Sequence, residues 1–416
     1  MNKKIFDVKL LISFLWFIIF FPQIQFKVGL LLEQFLSFIS ILLIILYLFL
    51  YKKNINLNHI IIIFIYFSLI SISILRSSFD EIILNDYFEL AKPLYLGLFF
   101  IFSYSIEWNE EKLIYFINNL LFCFLFGSIL SIFESNTVIG NEVFHTLYKD
   151  HRYGVQYKAV LSFISPYVYA SILLVPIFIL LANLFYKLKT IYVFFFIIIF
   201  YSFLLTQSRT IFLSFIITFI LFIFYVFFTK HYIARYKFLL ITSLLSILLI
   251  SIIPFIILLI KNNFSYLYSG LEVVFNNLLN LDIDKFIYSS PSIYLRYEQF
   301  VYVLEHIDFL PIIGIGIGKS VLMPESFYAL YLYRVGLIGI FIHFTIILYA
   351  FIKCKYLSEK YNRNQKIHCF FIGLQMYFLS LPFSYASSAI NDQVRSGFIF
   401  YILLGIIFKL NRERIQ

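Results

Sequence analysis

Apolar residues in this chain come in long runs separated by short polar stretches, along almost the whole sequence. The runs hold roughly 17–25 residues, so each is long enough to cross about 30 Å of hydrocarbon as a helix. The pattern predicts twelve membrane spans, at residues 8–26, 28–50, 59–76, 91–106, 112–133, 163–185, 190–206, 209–229, 238–260, 328–352, 367–385 and 396–410.

We therefore expect an all-α protein, a polytopic membrane bundle of about 12 helices that forms a single integral membrane domain over residues 1–416. Two longer polar stretches interrupt the spans, a smaller loop at about 134–162 and a large one at about 261–327. The large loop is too long for a simple connector. The first run lacks a small-residue cleavage pattern, which predicts a retained helix and no removable signal.

The large loop contains a stretch, residues 292–310, with the spacing of an amphipathic helix. Prolines flank it at both ends, as helix boundaries prefer. Its apolar residues repeat at helical spacing and predict one apolar stripe. That stripe consists of Tyr294, Tyr297, Val301 and Leu304. A helix of this kind outside the membrane is expected to lie along the bilayer surface or to cap a cavity.

Composition supports the membrane interpretation, because 62% of the residues are hydrophobic and only 13% are charged. Soluble chains average about 25% charged residues, so a cytosolic enzyme, a secreted disulfide scaffold and a disordered protein are excluded. Cys123, Cys354 and Cys369 are odd in number and lie within or beside apolar runs. Without a CxxC or Cys/His cluster they predict neither a disulfide framework nor a zinc site.

The net charge of +10 indicates topology and not a nucleic-acid partner, because Lys and Arg of polytopic proteins gather in cytoplasmic loops. With the N-terminus inside, every short inner segment is basic. These segments hold Lys3, Lys4, Lys9, Lys52, Lys53, Lys112, Lys187, Lys189, Lys230, Arg235, Lys237, Lys353, Lys355, Lys360, Arg363, Lys366, Lys409, Arg412 and Arg414. The prediction is a multi-pass protein of the cytoplasmic (inner) membrane with both termini in the cytoplasm and both long loops outside.

A charge beside apolar spans is costly unless it is paired or hydrated, and Arg209 is the clearest case. It lies between two apolar runs, directly after the polar residues Gln207 and Ser208. One interpretation is an arginine that reaches the interface and fixes a tight turn. The other is a guanidinium in an outward cavity that binds a phosphate bidentately.

Three more cations on the predicted outer side are candidates for substrate binding. Arg152 lies on the smaller loop, Arg296 lies on the loop helix, and Lys92 lies at the outer end of the fourth span. Each is also compatible with a solvated or interfacial role. Together with nearby tyrosines they suit a sugar-diphosphate ligand, because cations hold the anion and aromatic rings stack on sugar faces.

Two apparent motifs are set aside. The glycine-rich stretch at 314–320 has Ile313 where a P-loop requires glycine. Glu142 and His145 have the spacing of a metal-binding pair, but no second pair of that kind accompanies them. We predict no metal and no cofactor.

The chain resembles the superfamily of bacterial O-antigen polymerases and O-antigen ligases. The resemblance rests on Arg209 within residues 206–210, Arg152-Tyr153-Gly154, Arg296, a P-x-x-G-x-G pattern at 311–316 and a G-L-x-G pattern at 336–339. One departure is Pro166, which lies farther from Gly154 than the family pattern has it. In the ligase branch a histidine precedes the glycine that matches Gly336, and here Glu325 occupies its position. This difference favours the polymerase branch.

The resemblance implies a glycosyltransferase that joins oligosaccharide repeat units carried on undecaprenyl diphosphate at the outer face of the membrane. The product would be O-antigen of lipopolysaccharide, or capsule. Arginines would stabilise the diphosphate leaving group, and a carboxylate or imidazole would accept the proton of the attacking hydroxyl. The candidate base is Glu325, followed by Glu142, Asp150 and His145.

The expected partners are the lipid-linked repeat units, the bilayer and a chain-length regulator protein, with no nucleic acid. A ligase that transfers polymer to a lipid core and a repeat-unit flippase are the alternatives. The spans are almost free of charge and the polar residues lie in the large loop, which favours an enzyme over a transporter.

Overall fold

The computed structural model describes residues 6–22, 42–47, 84–148, 157–163, 165–228, 261–262, 264–279, 287–288, 291–307, 311–316 and 325–412. The described residues form helices and contain no strand. The α-helices are α1 Phe6–Phe20, α2 Leu84–Ser105, α3 Glu110–Asn136, α4 Val138–Leu147, α5 Pro166–Tyr186, α6 Thr190–Leu205, α7 Arg209–Phe228, α8 Ser265–Leu279, α9 Pro291–His306, α10 Phe327–Lys360, α11 Gln365–Ser384 and α12 Val394–Arg412. A 3₁₀ turn, Ile390–Asp392, precedes α12.

Most of the predicted spans correspond to these helices. The spans that begin at residues 8, 91, 112, 163, 190, 209, 328, 367 and 396 fall on α1, α2, α3, α5, α6, α7, α10, α11 and α12. The spans at 59–76 and 238–260, and all of 28–50 except 42–47, lie outside the described residues. Within the described part, α3, α5, α10 and α11 are long and apolar enough to cross a membrane. The chain is therefore a helical membrane protein, and the count of twelve spans stays a prediction.

The bundle is built around α5 and α11. In each of these two helices, 83% of the most apolar 18-residue stretch is buried, whereas in α10 the buried share is 39%. An apolar helix buried on nearly every side belongs in the centre of a bundle, and α10 lies closer to its surface. Cys123, Cys354 and Cys369 are all buried free thiols.

One end of the bundle gathers the polar connections, and we call it the polar end. The Glu134 carboxylate near the end of α3 accepts hydrogen bonds from the backbone N–H groups of Val160 (3.2 Å) and Leu161 (2.7 Å). The N–H of Ala159 donates to the carbonyl of Leu205 at the end of α6, at 3.1 Å. The Ser162 hydroxyl donates to the carbonyl of Ile19 near the end of α1. The segment 157–163 therefore joins three helix ends.

The opposite end carries basic residues of the segments predicted to be cytoplasmic. Hydrogen bonds join the start of α11 to α3 here. The side chain of Asn364 donates to the Glu110 carboxylate at 3.0 Å, and Lys366 donates to the side-chain Oδ1 of Asn118 at 3.2 Å. Basic residues at the helix ends on this side are Lys9, Lys112, Lys187, Lys189, Lys353, Lys355, Lys360, Arg363, Lys366, Lys409 and Arg412. Every described connection at this end has basic residues within it or beside it, in agreement with the predicted orientation, which remains a prediction.

The first part of the smaller predicted loop, 134–162, is helical. Helix α3 continues to Asn136, and α4 follows immediately. The hydroxyl of Thr137 donates to the carbonyl of Phe133 (2.8 Å) and accepts from the N–H of Gly140 (2.9 Å). One side chain therefore satisfies groups of both helices, so that the chain turns without an open loop.

The large loop contains two helices, α8 and α9, where the sequence predicted one. Helix α9 begins at Pro291, the favoured first helical position for proline, and ends at His306. The predicted apolar stripe is not the buried face, because Tyr297 and Leu304 are 44% and 55% exposed. The face buried against α10 carries Gln299, Val303 and Ile307. Apolar residues occur on both sides of α9, so periodicity alone does not decide which side packs.

Helix α10 is interrupted at Gly336, whose φ of 64° and ψ of −167° are not helical. The segment 311–316 packs against this break. The N–H groups of Leu337 and Ile338 donate to the carbonyls of Pro311 and Ile312, at 2.9 and 3.1 Å. A Cβ on Gly336 would overlap the carbonyl oxygen of Ile312. The described residues of the glycine-rich stretch, 314–316, thus belong to a segment that is hydrogen-bonded to the broken span.

Candidate functional site

Arg296 of α9 and Glu325, just before α10, form an ion pair at the polar end, with Nη2 and Oε2 3.8 Å apart. The two side chains are 20% and 42% exposed. The backbone of Glu325 is fixed on both sides, since its N–H donates to Oε1 of the buried Gln299 at 2.9 Å and its carbonyl accepts from the N–H of Ala389 at 3.1 Å. The carboxylate is therefore accessible while its backbone is held.

Two contacts, besides the ion pair with Glu325, fix the guanidinium of Arg296. Its carbon lies 5.9 Å from the centre of the Tyr167 ring, near the outer limit of a cation–π contact. Its Nη1 donates to the carbonyl of Ser292 at 3.2 Å. Its Nε is buried without a hydrogen-bond partner among the described residues. Arg296 is thus positioned against the start of α5 but retains an unused donor.

A second cationic cluster lies where α7 begins. The guanidinium carbon of Arg209 is 3.9 Å from the centre of the Tyr266 ring of α8, and its Nε donates to the Tyr266 carbonyl at 3.0 Å. The Nζ of Lys158 is 3.8 Å from the centre of the same ring. A Cβ on Gly270 would overlap the Arg209 guanidinium, so this glycine lets the side chain lie flat on α8.

Burial and the nearby Arg209 charge lower the pKa of Lys158 below its usual value of 10.5, with burial as the larger cause. No carboxylate lies within 4 Å of either cation in the part of the chain that the structure describes. Two positive charges that share one ring, with no carboxylate beside them among the described residues, favour an anion between them.

The structure brings together some of the predicted site residues and not others. Arg296 and Glu325 meet, whereas Arg209 belongs to the separate cluster with Lys158. Lys92 lies in the first half of α2 and is half-buried. Arg152 lies outside the described residues.

None of the alternative bases lies on the described segments that form the two clusters. Glu142 and His145 both lie on α4, and Asp150 lies outside the described residues. Among the residues that the structure describes, no group of three or more His, Cys, Asp or Glu side chains could hold a metal ion.

Lys158, Tyr266 and Gln299 were missed by the sequence reasoning. Lys158 had a weak signal, as a further cation on the loop that holds Arg152. Tyr266 and Gln299 become recognisable only when α8 and α9 are placed against distant segments.

Two further arginines at the polar end were also missed, and both are buried. Arg334 pairs with Asp392 at 2.7 Å. Arg395 donates to the carbonyl of Phe21 at 2.8 Å, next to the end of α1. Both join elements of the bundle, which assigns them a structural role.

Comparisons with protein-family models, with curated proteins and with solved structures found no match for this chain. The motifs of the polymerase and ligase superfamily thus remain a resemblance, and a functional assignment depends on the two clusters.

Proposed function

We propose that the chain is a membrane glycosyltransferase that polymerises oligosaccharide repeat units carried on undecaprenyl diphosphate. The observation that carries the proposal is the Arg296–Glu325 pair beside Tyr167, at the same end of the bundle as Arg209. A carboxylate, a cation and an aromatic ring are the groups that this reaction needs. The motifs around Arg209, Arg296 and Gly336 support the choice of reaction.

In this reaction a hydroxyl of the acceptor repeat unit attacks the anomeric carbon of the donor chain. The bond between that carbon and the diphosphate oxygen breaks, and the diphosphate leaves with the bonding electrons. Glu325 accepts the proton of the attacking hydroxyl, and Arg296 orients its carboxylate. Arg209 stabilises the charge that develops on the leaving oxygen, for which one preorganised donor contributes about 3–4 kcal/mol.

The proposal includes an orientation. The basic residues at the opposite end of the bundle face the cytoplasm under the positive-inside rule, so the polar end faces outward in the cytoplasmic membrane. Polymerisation there requires no nucleotide, since the lipid diphosphate is itself the leaving group.

The test is the surface glycan of a deletion strain, separated by gel electrophoresis. Deletion is expected to leave single repeat units on the surface lipid, and the wild-type gene is expected to restore long chains. The Glu325→Gln variant should fail to restore them, whereas Glu305→Gln, an exposed carboxylate on α9, should succeed. A surface without any repeat units would contradict polymerisation and favour transport.

A further inference from the structure

Lys158 and Arg209 reach the Tyr266 ring from segments far apart in sequence. Lys158 lies on the segment 157–163, which the bond from Ala159 to Leu205 holds at the end of α6. Arg209 opens α7, where the helix dipole also favours an anion. Tyr266 on α8 brings the two cations together.

Most of the donors of these two cations are unused. The Nε of Arg209 donates to the Tyr266 carbonyl, and neither Nη atom has an acceptor among the described residues. The ammonium of Lys158 contacts the ring face but has no hydrogen-bond acceptor in the same part of the chain. Burial and, to a smaller extent, the nearby Arg209 charge lower the pKa of Lys158, and a bound anion would offset both effects.

We propose that Lys158 and Arg209 jointly bind a diphosphate, with Tyr266 and Gly270 positioning the guanidinium. Two separate cations match a ligand with two phosphoryl groups better than a single phosphate, because each can pair with one group. The proposal deepens the proposed function and rests on it for the identity of the carrier, undecaprenyl diphosphate. It adds Lys158 as a binding residue and Gly270 as a positioning residue.

The test is isothermal titration calorimetry on the full chain purified in detergent. The probes are undecaprenyl diphosphate, inorganic pyrophosphate and orthophosphate. The variants are Lys158→Gln and Gly270→Ala; the atoms nearest to the added methyl group of the second belong to the side chain of Arg209. The matched control is Lys261→Gln, which removes an exposed cation 5.5 Å from the Tyr268 ring on the same helix. Unfolding temperatures show that each variant is folded.

We expect Lys158→Gln to weaken diphosphate binding by about ten- to a hundredfold, the usual range for a hydrogen bond to a charged group. Gly270→Ala should weaken it as well, because it displaces Arg209. Lys261→Gln should retain wild-type affinity, and orthophosphate should bind more weakly than pyrophosphate. Binding of the lipid alone would assign the site to a lipid headgroup, whereas equal binding of pyrophosphate would assign it to the free anion.

Two results would overturn the site: no binding of either diphosphate by the wild-type chain, or equal weakening by Lys158→Gln and Lys261→Gln. Failure of the site can be distinguished from failure of the proposed function. If diphosphate binding depends on Lys158 but the chain forms no polymer, the diphosphate site stands and the proposed function is wrong. If polymer formation depends on Glu325 but not on Lys158, the proposed function stands and the diphosphate site is wrong.

Discussion

The ion pair between Arg296 and Glu325 predicts that the two residues act as one unit. At about 4 Å, unit charges interact by about 4 kcal/mol at an effective dielectric constant of 20 and by about 1 kcal/mol in water. The pair is 3.8 Å apart and its side chains are 20% and 42% exposed. Exposed pairs contribute about 0.2–1 kcal/mol, so we assign it about 1 kcal/mol, equivalent to about a fivefold change in rate.

The perturbation is a double-mutant cycle of Arg296→Gln, Glu325→Gln and both together. Loss of a general base lowers the rate by about 10²–10⁴-fold, and we expect this for Glu325→Gln. Arg296→Gln alone should cost about fivefold, because it disorders the carboxylate and leaves it in place. If Arg296 acts through Glu325, the double variant should be no slower than Glu325→Gln.

The assay is the initial rate of undecaprenyl diphosphate release from lipid-linked repeat units by the purified chain. Equal unfolding temperatures of the variants serve as the control for folding. Additive losses in the double variant would refute the reasoning and would place Arg296 on the diphosphate, as the sequence interpretation has it.

Three other predictions concern Arg209, Gly336 and Lys158. Arg209→Lys should reduce chain elongation at least about tenfold with normal membrane insertion, because lysine cannot donate to Tyr266 and also present a planar pair of donors; unchanged glycan length on a gel would contradict this. Gly336→Ala should lower the free energy of unfolding by about 1–3 kcal/mol, because the φ of 64° and ψ of −167° at this position are adopted readily by glycine alone; the measurement is a lower unfolding temperature than that of Gly127→Ala, whose added methyl group has more space. Diphosphate affinity should fall as pH rises through the lowered pKa of Lys158, because only the ammonium binds the anion, and Lys158→Arg should keep its affinity to higher pH in the same titration.

The helices follow largely from the sequence because an apolar run longer than the bilayer thickness has few other options. Their ends were less predictable. Glu134 is polar and suggested a loop, yet it lies inside α3, where two backbone N–H groups compensate its burial. Likewise, the apolar pattern predicted a continuous span where Gly336 interrupts the helix. The break is possible because hydrogen bonds to the segment 311–316 replace the missing helical ones, and no local pattern shows that this segment packs there.

The candidate site was predictable in its residue types and not in its pairings. Arg296 and Glu325 were both identified, one from its place on the loop helix and the other by counting back from Gly336. Their contact requires α9 to pack through Gln299 and not through Tyr297. Lys158 and Tyr266 are far apart in sequence, and no local pattern records that they meet.

The most direct test of polymerisation is reconstitution of the purified chain in liposomes with undecaprenyl-diphosphate-linked repeat units as the sole substrate. The product length is read on a gel for the wild type and for Glu325→Gln. The account predicts a ladder of polymers from the wild type and unreacted single units from the variant. Single units from a folded wild-type chain, or equal ladders from both proteins, would contradict it.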